Sequence, residues 1–229
     1  MITREAYILA GPTASGKSAI AAELAREMGA WILSADSMLV YAGMDVGTAK
    51  PSPAERAEFH MGGVDVVTPA EEFSSGAWLR AAAEWVKTVP ASVPIVIVGG
   101  TGLYFSALLR GLDRRWERPA PAYPVIKIDR TLVRERIAAR LDGMFLAGLE
   151  EERRALKARY PVWSRTASLA IGYREGDTRE KIFFRTCQLA KRQDTWFRHQ
   201  ASPIYVEPTV ESVRACWRGK GPWKVTFAS

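Results

Sequence analysis

Four short apolar runs, at residues 7–10, 31–34, 95–98 and 125–128, have the length and β-branched content of strands buried on both faces, and a weaker run lies at 204–206. Between them, apolar positions recur at helical spacing over 17–28, 77–88 and 132–147, and in a more polar stretch over 178–199. Strands alternating with helices predict a parallel sheet flanked by helices, an α/β fold with a helical C-terminal part. A length of 229 residues predicts one domain spanning 1–229. No repeat or low-complexity tract interrupts the pattern. The linker-like segment is 114–124, with three prolines and little apolar content. That proline density predicts a short surface connection, disfavouring a helix interior or a central strand.

Composition narrows the picture. At 48% hydrophobic residues, disorder and fibre architectures are excluded. The 32 Lys and Arg against 25 Asp and Glu leave a formal charge of +7, which suits a phosphate-rich ligand or a nucleic acid. Cys187 and Cys216 are too few for a disulfide framework and lack the spacing of a metal knuckle, so a cytoplasmic protein without structural zinc is expected. Residues 1–6 lack the regions of a signal peptide, and no apolar run approaches the roughly 18 residues of a membrane span, so neither export nor a membrane is expected.

The chemistry begins at Gly11-Pro12-Thr13-Ala14-Ser15-Gly16-Lys17-Ser18, which fits G-x-x-x-x-G-K-[ST] directly after the first strand and before the first helix. Glycines let backbone N–H groups turn inward around phosphate oxygens, Lys17 neutralises them, and the Ser18 hydroxyl is placed to ligate Mg²⁺ at a helix N-terminus. The expected fold is thus P-loop NTPase-like and the expected ligand a di- or triphosphate. Phosphate-hydrolysing members of that fold usually end a later strand in an acid. Here 95–98 runs into Gly99-Gly100-Thr101, and the acid at a strand end is Asp36. Asp36 can serve as a turn cap, yet strand C-termini are where open α/β sheets place their chemistry.

Several further motifs follow in order: Ser34-Ala35-Asp36-Ser37-Met38, Val40-Tyr41, Gly43-Met44-Asp45, Gly47-Thr48-Ala49-Lys50-Pro51-Ser52, Gly99-Gly100-Thr101-Gly102-Leu103-Tyr104, Ile171-Gly172-Tyr173-Arg174-Glu175 and Lys191-Arg192-Gln193 with Thr195-Trp196-Phe197-Arg198. With the phosphate loop, this series resembles the tRNA dimethylallyltransferases over most of the chain from residue 6 to about 200. The resemblance implies transfer of a dimethylallyl group from dimethylallyl diphosphate to N6 of an adenine beside the anticodon of tRNA (position 37 there), with Mg²⁺ as cofactor and a monomeric enzyme. Residues 11–18 would then hold a diphosphate leaving group. Three departures stand out. The family's helical insertion after the Gly-Thr-Gly-Leu-Tyr segment is replaced by the short 114–124 connection, its Gln before Val-Tyr is Leu39, and its paired histidines reduce to His60-Met61.

By the same resemblance, Asp36 accepts or orients the N6 proton, as an exocyclic amine requires. The Thr101 hydroxyl has two uses open to it, capping the next helix or bonding the bridging oxygen of the diphosphate. Arg136 and Arg140, one helical turn apart, each have the leaving group or solvent within their range. Residues expected near tRNA are Asp36, Ser37, Met38, Leu39, Thr101, Gly172, Tyr173, Arg174, Lys191, Arg192, Gln193, Trp196 and Arg198. The mixture of cations and an aromatic over 191–198 suits backbone contacts and base stacking, although helical spacing assigns Trp196 to the core as readily. Two other functions fit parts of the pattern: the same transfer to free AMP, ADP or ATP, and a small-molecule kinase or nucleotide-binding module.

Overall fold

A computed structural model describes residues 2–111, 121–174, 176–200 and 202–227. Its elements run β1 (Ile2–Ala10), α1 (Lys17–Met28), β2 (Trp31–Ser34), α2 (Pro53–Glu58), α3 (Ser75–Thr88), β3 (Ile95–Gly99), α4 (Gly102–Arg110), β4 (Tyr123–Ile126), α5 (Arg130–Leu146), α6 (Leu149–Arg159), α7 (Arg165–Ser168), α8 (Arg179–Gln200), β5 (Pro203–Val206), α9 (Val210–Lys220) and β6 (Trp223–Phe227).

The parallel strands stand in the order β2-β3-β1-β4-β5, so β1 is central and the chain reverses direction across it. Residue for residue, Tyr7–Ala10 pairs with Val96–Gly99 and Trp31–Ser34 with Ile95–Val98. Every residue of β3 is buried, as its unbroken Ile-Val-Ile-Val run requires of a strand covered on both faces. Its burial and that of Ile8, Leu9, Ile32 and Leu33 make the sheet the floor of one core, roofed by Leu24, Trp78, Leu79, Phe105 and Ile137 from the helices.

Both ends of α1 are set by glycines. Gly16 enters it at φ 90° and Gly29 leaves it at φ 62°, its N–H returning to carbonyls of the last turn. The Asp129 carboxylate caps α5 by accepting the N–H groups of Thr131 and Leu132.

The structure differs from expectation at three places. First, β4 begins at Tyr123, so Pro124 lies inside a strand between β1 and β5. Pro124 pairs with Ile204 of β5, whereas β1 meets β4 only at Ala10 and Val125, so the missing N–H falls where that ladder has not started. Residues 112–120, most of the expected linker, lie outside the described residues. Second, β1 starts five residues earlier than its apolar run, because Ile2–Ala6 pairs antiparallel with β6. β6 alternates strictly, burying Trp223, Val225 and Phe227 and exposing Lys224 and Thr226, the period of a strand with one wet face. Third, α2, α4, α6, α7 and α9 lie outside the stretches of predicted helical spacing; α6 buries only Leu149 and Leu156, too few apolar positions to show a period. Among the described residues no helix is long and apolar enough to cross a membrane.

Candidate active site

The C-terminal ends of β1, β3 and β2 converge where the strand order reverses, the place at which open α/β sheets bind ligands. Residues 11–16 leave β1 as a loop whose Ala14 (φ 62°) and Gly16 (φ 90°) adopt left-handed conformations, turning successive N–H groups inward into an anion cradle. Lys17 is buried there and donates to Pro12 O at 3.2 Å. Burial lowers its pKa to about 8, with the charge of Asp36 working against that and Arg140 with it. The buried Ser15 Oγ and Arg140 Nε have no hydrogen-bond partner within the protein. Two buried donors without acceptors beside a cationic loop suit an anionic ligand.

The neighbouring turn is packed too tightly for side chains. A Cβ on Gly99 would lie 2.1 Å from Ala35 O, and one on Gly102 would lie 2.2 Å from the Trp196 ring. Gly102→Ala should therefore force Trp196 aside and lower stability by about 1–3 kcal/mol, read from the midpoint of a urea transition at unchanged slope. Gln193 clamps the same turn to the phosphate loop, accepting the Thr13 N–H at 2.8 Å and donating to Gly100 O at 3.0 Å.

Asp36 follows β2, whose end is fixed by the buried Trp78 indole donating to Ser34 O at 2.9 Å, while Trp78 stacks on Tyr104 at 4.6 Å. One Asp36 oxygen accepts the Met38 N–H at 2.9 Å. Thr101 makes no side-chain cap to α4; its hydroxyl accepts the Ser37 N–H at 2.9 Å and donates to Ser37 Oγ at 3.2 Å.

The two arginines of α5 separate. Arg140 donates to Thr13 Oγ1 at 3.0 Å, and burial lowers its pKa against the pull of Asp36. Arg136 instead donates to Ser15 O at 3.1 Å, alongside Gly16. Arg140 thus faces the site while Arg136 braces the loop. Arg140→Ala should weaken pyrophosphate binding roughly 10- to 100-fold, the worth of a charge-assisted hydrogen bond, and Arg136→Ala by a few-fold at most; isothermal titration of both variants checks this.

Two cavities meet at this point. One, of about 440 Å³, is lined by Lys17, Ser18, Asp36, Leu39, Lys50 and apolar side chains including Ile32 and Phe59. The other, of about 530 Å³, is more apolar, with Met38, Leu141, Met144, Ile171, Leu189 and Trp196 among its walls, together with Arg174 and Arg192. Thr13, Asp36, Thr48 and Arg140 belong to both.

Other residues expected at RNA have distinct places. Arg192 and Trp196 line the second cavity, with Trp196 also edge-on to Phe197 at 5.3 Å, so packing and exposure coexist. Lys191 is exposed on a separate groove beside Lys127, Arg130 and Arg134, and Arg198 is exposed. Gly172 is buried at φ 93°, its N–H held by Asp177. Arg174 lines the second cavity while donating to Leu169 O at 2.8 Å. Tyr173 is also buried, its hydroxyl donating to Glu152 and accepting the Gly47 N–H at 3.0 Å. Burial, with the adjacent Glu152, pushes its phenol far above the usual range, so it remains a donor.

Sequence reasoning passed over Lys50, Trp78 and Glu152. The Lys50 side chain is fully buried and ties down its loop through Tyr41 O at 2.7 Å, Asp45 at 2.6 Å and Asp65 at 2.6 Å. It sits within a quoted motif, but nothing in its local pattern distinguishes it from a solvated lysine.

Among the described residues no cluster of three His, Cys, Asp or Glu could hold a metal. The oxygens lining the first cavity include the Ser18 hydroxyl and the Asp36 carboxylate. Few, hard oxygen donors beside a phosphate cradle fit Mg²⁺, which usually completes its shell with phosphate oxygens and waters.

The family model described as IPP transferase matches residues 39–124 and 114–200, and one described as isopentenyl transferase matches 4–60. A tRNA dimethylallyltransferase of Phenylobacterium zucineum is 52% identical over 117 residues, half of this chain but only 38% of that protein's length. One from Stenotrophomonas maltophilia is 31% identical over 299 aligned residues, covering 91% of this chain and 94% of the relative. Since the chain has 229 residues, at least 70 of those aligned positions face gaps in it. The crystal structure of the full-length tRNA isopentenylpyrophosphate transferase from Bacillus halodurans superposes with a TM-score of 0.79 at 22% identity, covering 95% of this chain and 97% of that one. That likeness shows a shared fold, and the family matches run from the phosphate loop to the end of α8: the chain belongs to the IPP transferase family.

Proposed function

We propose that this chain transfers a dimethylallyl group from dimethylallyl diphosphate to the N6 of an adenine beside the anticodon of tRNA. The observation that carries this is Asp36 on the boundary between a phosphate-binding cavity and a second, apolar cavity with arginines in its wall. The allylic C1–O bond breaks and an N6–C1 bond forms; the electron pair leaves on the bridging oxygen of the diphosphate, and the N6 proton passes to Asp36. Positive charge develops on the allyl fragment while the departing oxygens gain negative charge. The loop N–H groups, Lys17 and Arg140 answer the second of these. Thr101 offers its hydroxyl proton, now donated to Ser37 Oγ, to the bridging oxygen. Bound through Ser18, Mg²⁺ would neutralise the diphosphate as a Lewis acid. Arg192, Arg174 and Trp196 supply charge and a stacking face where the second cavity opens toward an RNA loop.

Transfer to free AMP, ADP or ATP is a second reading, favoured by the alignment gaps, which leave this chain without a segment that its relative carries. We infer that the gap corresponds to the family's helical insertion, missing at 114–124 within a single domain. Labelled dimethylallyl diphosphate and Mg²⁺ incubated with purified protein and, separately, bulk tRNA or AMP separates the readings. Label in tRNA alone supports the first, label in AMP the second, and label in neither rejects both.

A further inference from the structure

We propose that Glu152 is a positioning residue for the acceptor adenine, a role that rests on the transferase reading above. Glu152 lies in the first turn of α6, within a run of three glutamates on a helix that buries only Leu149 and Leu156. Its carboxylate is half-buried and turned onto the loop at 45–47. It accepts the N–H groups of Asp45 at 3.1 Å, Val46 at 2.8 Å and Gly47 at 3.3 Å, and the hydroxyl proton of Tyr173. The contacts at Gly47 are equally close, since a Cβ there would lie 2.6 Å from the Tyr173 ring.

One side chain therefore joins two separate wall segments. Gly47 and Thr48 line the second cavity from one, Ile171 and Arg174 from the other, and Thr48 also borders the cavity that holds the phosphate loop. Every group offered to Glu152 is a donor, so only an acceptor-only carboxylate satisfies all of them; an amide would turn its own N–H₂ toward backbone N–H groups. Glu152 itself is absent from both cavity linings, which confines its influence to the loops it holds.

The test compares the full chain with Glu152→Gln and Tyr173→Phe. Three quantities are measured: hydrogen exchange in peptides covering 45–48, affinity for dimethylallyl diphosphate, and affinity for a fluorescent anticodon stem-loop RNA. Faster exchange in that peptide, a roughly tenfold or greater loss of RNA affinity and diphosphate affinity within twofold of wild type are expected for Glu152→Gln, with a smaller effect in the same direction for Tyr173→Phe. A merely structural role would weaken both ligands together, and that result overturns the proposal. So does RNA affinity unchanged in both variants. If the wild-type chain binds the diphosphate but neither binds nor modifies RNA, the tRNA reading fails with it, an outcome distinct from variants that match a competent wild type. Should Glu152→Gln fail to fold, Tyr173→Phe alone decides: RNA affinity equal to wild type overturns the proposal.

Discussion

Lys17→Ala is expected to reduce dimethylallyl diphosphate affinity by roughly 10²- to 10³-fold, to the edge of detection by titration calorimetry, with the far-ultraviolet circular dichroism unchanged. Lys17 is the phosphate loop's own side-chain cation, buried and tethered to Pro12 O. Arg140 remains in the variant but enters from α5, anchored on Thr13. Lys17 also gives the binding a pH signature. Burial holds its pKa near 8 rather than 10.5 in the ligand-free protein, so above about pH 8 a diphosphate must bring a proton back to Lys17. Affinity should then fall by about tenfold per pH unit between pH 8 and 10, and that slope should vanish in Lys17→Ala. Stability moves the other way. Between about pH 8 and 10.5 the unfolded chain holds a proton that the folded chain has lost, so this group makes ligand-free stability rise with pH across that window. Diphosphate affinity in the variant within threefold of wild type would reject Lys17 as the phosphate cation.

The parallel sheet and phosphate loop were legible because their signals are local. A run such as Ile95–Gly99 has the burial of an interior strand in its own composition, and the loop motif sits between its strand and helix. β6 was not legible from that signal. Its alternation is plain, yet its partner is a half-strand more than 200 residues away, and only that pairing extends β1 back to Ile2. Pro124 misled for a related reason, since a proline is excluded from a strand only where a neighbour asks for its N–H. At the site, residues attached to a motif were findable and residues that position the motif were not. Glu152 and Lys50 are charges whose function comes from backbone groups folded around them, and one sequence gives them the appearance of a solvated face. Gln193 lies within a recognisable segment, but its bridge from Thr13 to Gly100 follows from packing α8 against two loops distant in sequence. Helix periodicity likewise put Arg136 and Arg140 on one face and could not tell the residue that braces the loop from the one that lines both cavities.

Asp36→Asn is expected to preserve the fold and diphosphate binding while slowing the chemical step on the order of 10²- to 10⁴-fold, the cost of losing a general base. The amide is nearly isosteric, and its oxygen can still accept the Met38 N–H that now holds the carboxylate. What it cannot do is take the N6 proton. The electrostatics at the site dictate the conditions of the measurement. Because the charge of Asp36 raises the pKa of Lys17, the variant lowers that pKa below 8, and diphosphate affinity at alkaline pH falls for this reason alone. Binding is therefore compared near pH 6.5, well below the Lys17 pKa of about 8 in the unsubstituted protein, and single-turnover rates are taken with tRNA and dimethylallyl diphosphate saturating. A rate lowered at unchanged affinity identifies the base. If Asp36 instead supports Mg²⁺, diphosphate affinity at that pH drops along with turnover, and raising the Mg²⁺ concentration restores part of both. A wild-type single-turnover rate in Asp36→Asn eliminates Asp36 from the chemistry. The chemistry would then rest on Thr101 and Arg140, which act on the leaving group alone.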